Sequence, residues 1–300
     1  MKIFRFKIKD GHARIGTFWK GKIIDILETD RNLSNQLFAH ATDMKDFFIR
    51  ADYFSRLKKF LSVLPTYEGS KIIISFSEEE ITYLPPITNP EKIICMGRNF
   101  AEHAKEGGKE PPKNPMIWGK FNSAIIGHQD NIVMPKISDK VDVEIEMVVV
   151  MGKGGKHIAE DKALDHVFGY TIGNDVTARD YQYTDKQFTR AKTMDTFAPL
   201  GPWIITADEL TNPQNLDLEL KVNDETWQKS NTKEMIFSVA YIISYLSKSF
   251  TFKPGDLIFT GTPSGVGHYQ NPPIYLKEGD KVTLTIEKIG TLENPVVKEE

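Results

Sequence analysis

The sequence predicts an α+β, strand-rich fold, and three observations carry that prediction. Short apolar runs recur along the chain between Gly- and Pro-bearing turns, the pattern of strands joined by tight connections. Sustained apolar spacing of three and four residues, the mark of an amphipathic helix, is confined to a few segments. "TYLPPITNPE", from Thr82 to Glu91, sets Pro85, Pro86 and Pro90 between two strand-like regions. It divides a small N-terminal α/β domain, residues 1–86, from a larger domain, residues 87–300.

Taken in order, "KIFRFKIK", "ARIGTFW" and "KIIDI" read as strands separated by Asp10-Gly11 and Lys20-Gly21, a hairpin or meander. In "YFSRLKKFLSVLP", Phe54, Leu57, Phe60, Leu61 and Leu64 share one helical face until Pro65 ends the helix. "KIIISF" reads as another strand. Beyond Ile87 the strands are "KIICMG", "NIVMP", "EIEMVVVMG", "VFGYTIGNDV", "GPWIIT", "LDLELKVN", "DLIFTG" and "DKVTLTIEKIG", with Asn223-Asp224 as a hairpin turn. One clear helix follows Ser238, where Ile242, Ile243 and Leu246 form its apolar stripe.

Composition narrows the function classes. Lys and Arg total 38 against 41 Asp and Glu, a net charge of -3, so the overall field favours neither nucleic acid nor an anionic membrane as partner. Small molecules become the default. Cys95 is the only cysteine, which excludes an intrachain disulfide and a cysteine-built zinc site and suits a reducing, cytoplasmic setting. "MKIFRFKIKDG" intersperses Lys and Arg among its apolar residues, unlike a signal peptide, and no run of about 18 apolar residues predicts a membrane span.

The chemistry-bearing residues begin with "VDVEIEMVVV". Side chains alternate across a strand, so Asp142, Glu144 and Glu146 share one face, with the two glutamates roughly 7 Å apart along it. A half-exposed strand is the plain alternative, yet the sequel through Met151 is apolar on both faces and predicts burial, where unpaired carboxylates are costly. A bound cation removes that cost. Asp175 in "GNDVTARD" supplies a third carboxylate, or else a turn-capping residue, and an oxygen-only ligand set favours Mg²⁺ or Mn²⁺. In "GRNFAEHAKEGG", His103 and Glu106 are one helical turn apart, the spacing of a general base and its orienting carboxylate. Gly107-Gly108 and the following prolines suit a lid, with plain loop disorder as the alternative. Lys192 in "RAKTMDTF" is placed to offset a developing enolate or to grip a carboxylate; a solvated surface lysine is the plainer reading. "GDLIFTGTPSGVG" is a strand entering a Gly-rich turn, but it lacks the lysine of a phosphate-binding loop and opens no helix, so nucleotide fingerprints fail.

Together these segments resemble the fumarylacetoacetate hydrolase family, from about Lys92 to Val297. The family's metal motif places Glu144, Glu146 and Asp175 as ligands. Its lid segment carries His103 and Glu106 onto the catalytic dyad, and its "K-[ST]-x-D" segment carries Lys192 onto a catalytic lysine. Arg179 and Gln182 match substrate-facing positions, and Thr262 matches the threonine of the "T-G-T-P-x-G-V-G" loop. Asp142 matches no ligand position. Phe100 stands where the family usually has Tyr, and Met194 and Ala198 where Phe and Cys are frequent. The resemblance implies a mixed β-sandwich roll with a small appended N-terminal domain, and a homodimer. It also implies a Mg²⁺- or Mn²⁺-dependent enzyme that cleaves a C–C bond of an acylpyruvate-type 2-oxo acid through a pyruvate enolate. Oxaloacetate decarboxylation and isomerisation of an unsaturated 2-oxo dicarboxylate are alternatives at the same site. A non-catalytic 2-oxo-acid-binding regulator is the alternative from another class.

Overall fold

The computed structural model describes residues 1–9, 11–34, 37–38, 41, 43–49 and 52–300. Asp10 of the first expected turn lies outside them. The first strands, Lys2–Lys7, Arg14–Trp19 and Lys22–Asp25, form the expected antiparallel meander. At its second turn both Lys20 (φ 48°) and Gly21 (φ 75°) are left-handed, the conformation a tight hairpin needs.

This meander continues the central sheet. Lys2 and Ile3 register with Ile205 and Ile204 of the strand Ala198–Thr206. From there the sheet runs through Val167–Asn174, Ile145–Met151, Leu257–Phe259 and Ile93–Gly97 to Met116–Gly119 at its edge. The strand Ile145–Met151 is buried on both faces, as its apolar sequence requires. Met147, Val149 and Met151 pack with Ile242, Ile243 and Leu246 of the helix Val239–Ser247 and with Leu218, Leu220 and Leu284 of a second sheet. Val148 and Val150 face the other way, toward Ile3, Ile15, Phe60 and Leu64 of the N-terminal region. Each such large apolar side chain contributes about 1.5–3 kcal/mol through burial.

The second sheet has the order Glu225–Asn231, Asp217–Val222, Lys281–Ile286, Gly290–Lys298, Ile132–Met134. Asn223, left-handed at φ 54°, closes its first hairpin. Ser238 caps the helix Val239–Ser247 by accepting from Tyr241 N at 3.1 Å. The helix Tyr53–Val63 gives way at Pro65 to a 3₁₀ turn, Leu64–Tyr67.

Two expectations are corrected. Only Ser75–Phe76 of "KIIISF" is strand. Asn32 Nδ2 donates to Ile72 O and Ile74 N donates to Thr29 Oγ1, so polar side chains of the helix Ile26–Asn32 take backbone groups that a ladder would use. The acidic segment, too, is two pieces rather than one strand. Val141–Asp142 pairs with Thr177–Ala178, and the central strand starts only at Ile145. Between them Val143 N is bonded by Asp142 Oδ1 and Glu144 N by Asn174 Oδ1, which interrupts the ladder.

Candidate active site

The three carboxylates expected as ligands converge. Glu144, Glu146 and Asp175 each offer an oxygen within 4.8 Å of the others, and all are buried, at 4%, 1% and 0% exposure. A wet strand face is thereby excluded. Glu144 and Glu146 flank the start of the central strand, and Asp175 directly follows its partner strand Val167–Asn174. Asp175 N donates to Glu144 O at 2.9 Å, which fixes the two segments together.

Cations surround two of the three carboxylates. Lys192 Nζ lies 3.1 Å from Glu144 Oε2 and 2.8 Å from both Asp175 Oδ2 and Thr177 Oγ1. Arg179 Nη2 is 2.7 Å from Glu144 Oε1, and Lys120 Nζ is 2.7 Å from Asp175 Oδ1. Burial alone would raise the Glu144 carboxyl, but Lys192, Arg179 and His103 outweigh it and hold it down at about 2. Glu146 is the opposite case. Gly261 N donates to its Oε2 at 2.7 Å, while Oε1 has no hydrogen-bond partner among the described residues. Burial, then the like charges of Asp175 and Glu144, push its carboxyl well above the usual range.

A buried, under-satisfied carboxylate beside two others is the donor set a divalent cation compensates. The charges agree. Asp142, Glu144, Glu146 and Asp175 face Lys120, Arg179 and Lys192, which leaves one carboxylate charge unmatched when all are ionised. Oxygen ligands without sulfur or imidazole fit Mg²⁺ or Mn²⁺. Lys192 draws on the same two residues, Glu144 and Asp175, that would hold such an ion, and keeps Thr177 as a third partner.

Above the carboxylates lies a cavity of about 110 Å³ whose lining includes His103, Glu144, Arg179, Gln182, Lys192 and Thr262. His103 stands on the helix Ala101–Glu106, with Nδ1 3.1 Å from Glu106 Oε2. The other oxygen of Glu106 accepts from Gly265 N at 2.8 Å, so the dyad is tied to the Gly-rich loop. Arg179 Nη1 donates to Gln182 Oε1 at 2.9 Å, a one-turn pair on the helix Arg179–Thr184. The hydroxyl of Thr262 is already engaged, donating to Ile145 O at 2.9 Å and accepting from Gln228 Nε2 at 2.8 Å.

Asp142, which matched no ligand position, has a clear place. Val143 N and Gly267 N donate to its Oδ1, and His268 N and Arg179 Nε to its Oδ2, all at 2.8–2.9 Å. It fastens the loop at Gly267 to the arginine that pairs with Glu144. A Cβ at Gly267 would lie 2.3 Å from Ile274 O and 2.9 Å from Asp142 Oδ1, so only glycine lets this backbone reach the carboxylate.

Residues missed from sequence are mostly buried polar anchors. Lys120, in "WGKFNSA", donates to Phe197 O at 2.8 Å and to Lys192 O, besides facing Asp175. Asn99 holds Phe237 and Thr260, and Gln228 holds Ile145 and Thr262. Their partners lie far away in sequence, and no local pattern marks them.

Residues 92–297 match the C-terminal domain profile of fumarylacetoacetate (FAA) hydrolase. The chain belongs to this family. Xenopus laevis oxaloacetate tautomerase fahd2, mitochondrial, is 41% identical over 99% of this chain and 90% of its own length. Among solved structures, 5-carboxymethyl-2-hydroxymuconate delta-isomerase from Mycobacterium smegmatis superposes with TM-score 0.75 at 34% identity, over the whole of both chains. Maleylpyruvate hydrolase from Sphingobium sp. SYK-6, solved with manganese(II) and pyruvate, gives TM-score 0.80 at 27% identity, again over both whole chains. The mixed, strand-rich fold expected from sequence is therefore the family fold, and the relatives are enzymes. The cytoplasmic expectation is corrected, because the curated relative is mitochondrial by name. A lone cysteine indicates only a reducing setting and does not separate one reducing compartment from another.

Proposed function

We propose that the protein is a Mg²⁺- or Mn²⁺-dependent enzyme that interconverts the enol and keto forms of a small 2-oxo acid of the oxaloacetate kind. The observation that carries this reading is one cavity lined both by Glu144 of the carboxylate cluster and by His103 of the His103–Glu106 dyad. Its volume of about 110 Å³ is far below the roughly 300–1,000 Å³ of sites for drug-sized ligands, which favours a substrate of few heavy atoms. The full-length relative named as an oxaloacetate tautomerase supports the choice.

Glu144, Glu146 and Asp175 would hold the cation, which when bound supplies Lewis acidity toward the substrate's 2-oxo and carboxylate oxygens. The chain's own groups do the proton work. His103, oriented through Nδ1 by Glu106, takes the proton from the enol hydroxyl or the adjacent carbon and returns it at the other position. The lysine ammonium of Lys192, on the cavity wall, offsets the negative charge that collects on the 2-oxo oxygen meanwhile. Gln182, its Oε1 held by Arg179 Nη1, offers its amide nitrogen to the substrate carboxylate, and Thr262 shapes the floor through its bonds to Ile145 and Gln228.

Carbon–carbon hydrolysis, the first expectation from sequence, is the second reading. The same histidine would activate water, and the maleylpyruvate hydrolase neighbour shares the fold. Enol oxaloacetate and an acylpyruvate, each incubated with Mg²⁺ or Mn²⁺ and followed by product mass, separate the two. Tautomerisation leaves the mass unchanged, whereas pyruvate release from the acylpyruvate would favour hydrolysis. His103→Ala should slow the tautomerisation by about 10²–10⁴-fold while leaving metal-induced stabilisation intact. An unchanged rate would remove the dyad from the mechanism.

A further inference from the structure

We infer that Arg98, assisted by Lys109, holds a second carboxylate of the substrate and so makes the site selective for 2-oxo dicarboxylates. The inference rests on the proposed 2-oxo-acid chemistry and specifies its substrate class.

The first observation is the charge on the cavity wall. Arg179 and Lys192 are committed to Asp142, Glu144 and Asp175. Arg98 and Lys109 line the same cavity and have no carboxylate partner among the described residues. Glu144 is the only acidic residue among the cavity's described lining, and its charge is already met. Arg98, half-buried, therefore stands unmatched beside a small polar chamber, with the exposed Lys109 also on its lining. An anionic group at the far end of a substrate is the natural complement, and guanidinium binds carboxylate with directed, charge-assisted hydrogen bonds.

The second observation is backbone strain at the same residue. Arg98 has φ +53°, a left-handed conformation that non-glycine residues rarely adopt. Its neighbours on both sides are closely held. At Gly97 a Cβ would lie 2.2 Å from Met116 Cε and 2.8 Å from the Trp118 ring. On the other side the Asn99 amide is clamped by Phe237 N, Phe237 O and Thr260 O at 2.8–3.1 Å, and Asn99 O accepts from Ile236 N at 2.7 Å. Fixed strain at one cavity-lining arginine is the kind of cost that surrounding structure sustains where a side chain must face a ligand. Glycine at this position would suit the backbone better.

The experiment compares the wild-type chain with Arg98→Met, Arg98→Lys and Arg98→Gly in the Mn²⁺-loaded protein, with oxaloacetate as the diacid and acetylpyruvate and pyruvate as monoacids. Arg98→Met should lower kcat/KM for oxaloacetate by roughly ten- to hundredfold, mostly through KM, and leave acetylpyruvate within about twofold of wild type. Arg98→Lys should recover part of the loss. Arg98→Gly should lose the same discrimination while its Tm is equal to or above wild type, which separates recognition from structural support. Lys109→Ala should lose a smaller factor. An equal loss on both substrates, or no loss on oxaloacetate, overturns the inference. If wild type turns over neither substrate, the tautomerase reading fails on its own, and calorimetric binding of oxaloacetate and pyruvate then decides the inference. Preference for the diacid that vanishes in Arg98→Met supports it, and equal affinity for both overturns it.

Discussion

Asp142 and Glu146 lie four positions apart in one acidic segment, and both are shut away from water. The first receives four donors, three of them backbone N–H groups and one the guanidinium of Arg179. The second receives a single donor and leaves one oxygen bare among the described residues. The difference separates two uses of a buried carboxylate. Where every lone pair is met the residue is a fastener, and where it is not the fold has left room for a charge supplied from outside.

The largest expected effect comes from breaking the fastener. Asp142→Ala leaves Arg179 without its principal partner and releases the Gly267–His268 backbone, so denaturant unfolding should show a loss of about 3–5 kcal/mol. A loss below about 1 kcal/mol would place Asp142 among incidental pairs. Glu146→Gln should act in the opposite direction. A neutral amide cannot ionise, so it should stabilise the metal-free protein by about 1–3 kcal/mol at pH above the raised Glu146 value and remove its stabilisation by Mn²⁺.

The pH dependence sharpens the contrast within the triad. The Glu146 carboxyl is raised in the fold, so its contribution is full below the ordinary carboxylate range and is lost as pH climbs through the raised value. Glu144 is depressed to about 2, so its contribution is present above the model-compound value of 4.5 and lost as pH falls through about 2. Metal-free wild type should therefore weaken on the alkaline side, a slope that Glu146→Gln should flatten. A slope unchanged in that variant would assign the dependence to another group.

Much of this contrast was legible in the sequence, and the rest was not for definable reasons. The double-faced burial of Ile145–Met151 followed from its apolar run, and the helix after Ser238 from its cap and stripe. The convergence of Glu144, Glu146 and Asp175 followed from the family resemblance in motif order, since strand alternation alone left a half-exposed strand face open. The role of Asp142 did not follow. Three of its four donors come from 37, 125 and 126 residues away, and the ladder break at Val143 depends on side-chain bonds from Asp142 and Asn174. Lys120 escaped notice for the same reason, because its carbonyl cage at Lys192 and Phe197 exists only once the sheet has closed.

The direct test of the central claim is calorimetric titration of Mn²⁺ into metal-free wild type and Glu146→Gln, repeated in two buffers of different ionisation enthalpy. The account predicts a single saturating site per chain in wild type, with proton release on binding because the Glu146 carboxyl must ionise to serve as a ligand. It predicts strongly weakened binding in the variant. Equal Mn²⁺ affinity in both proteins, or no binding to wild type, would contradict it.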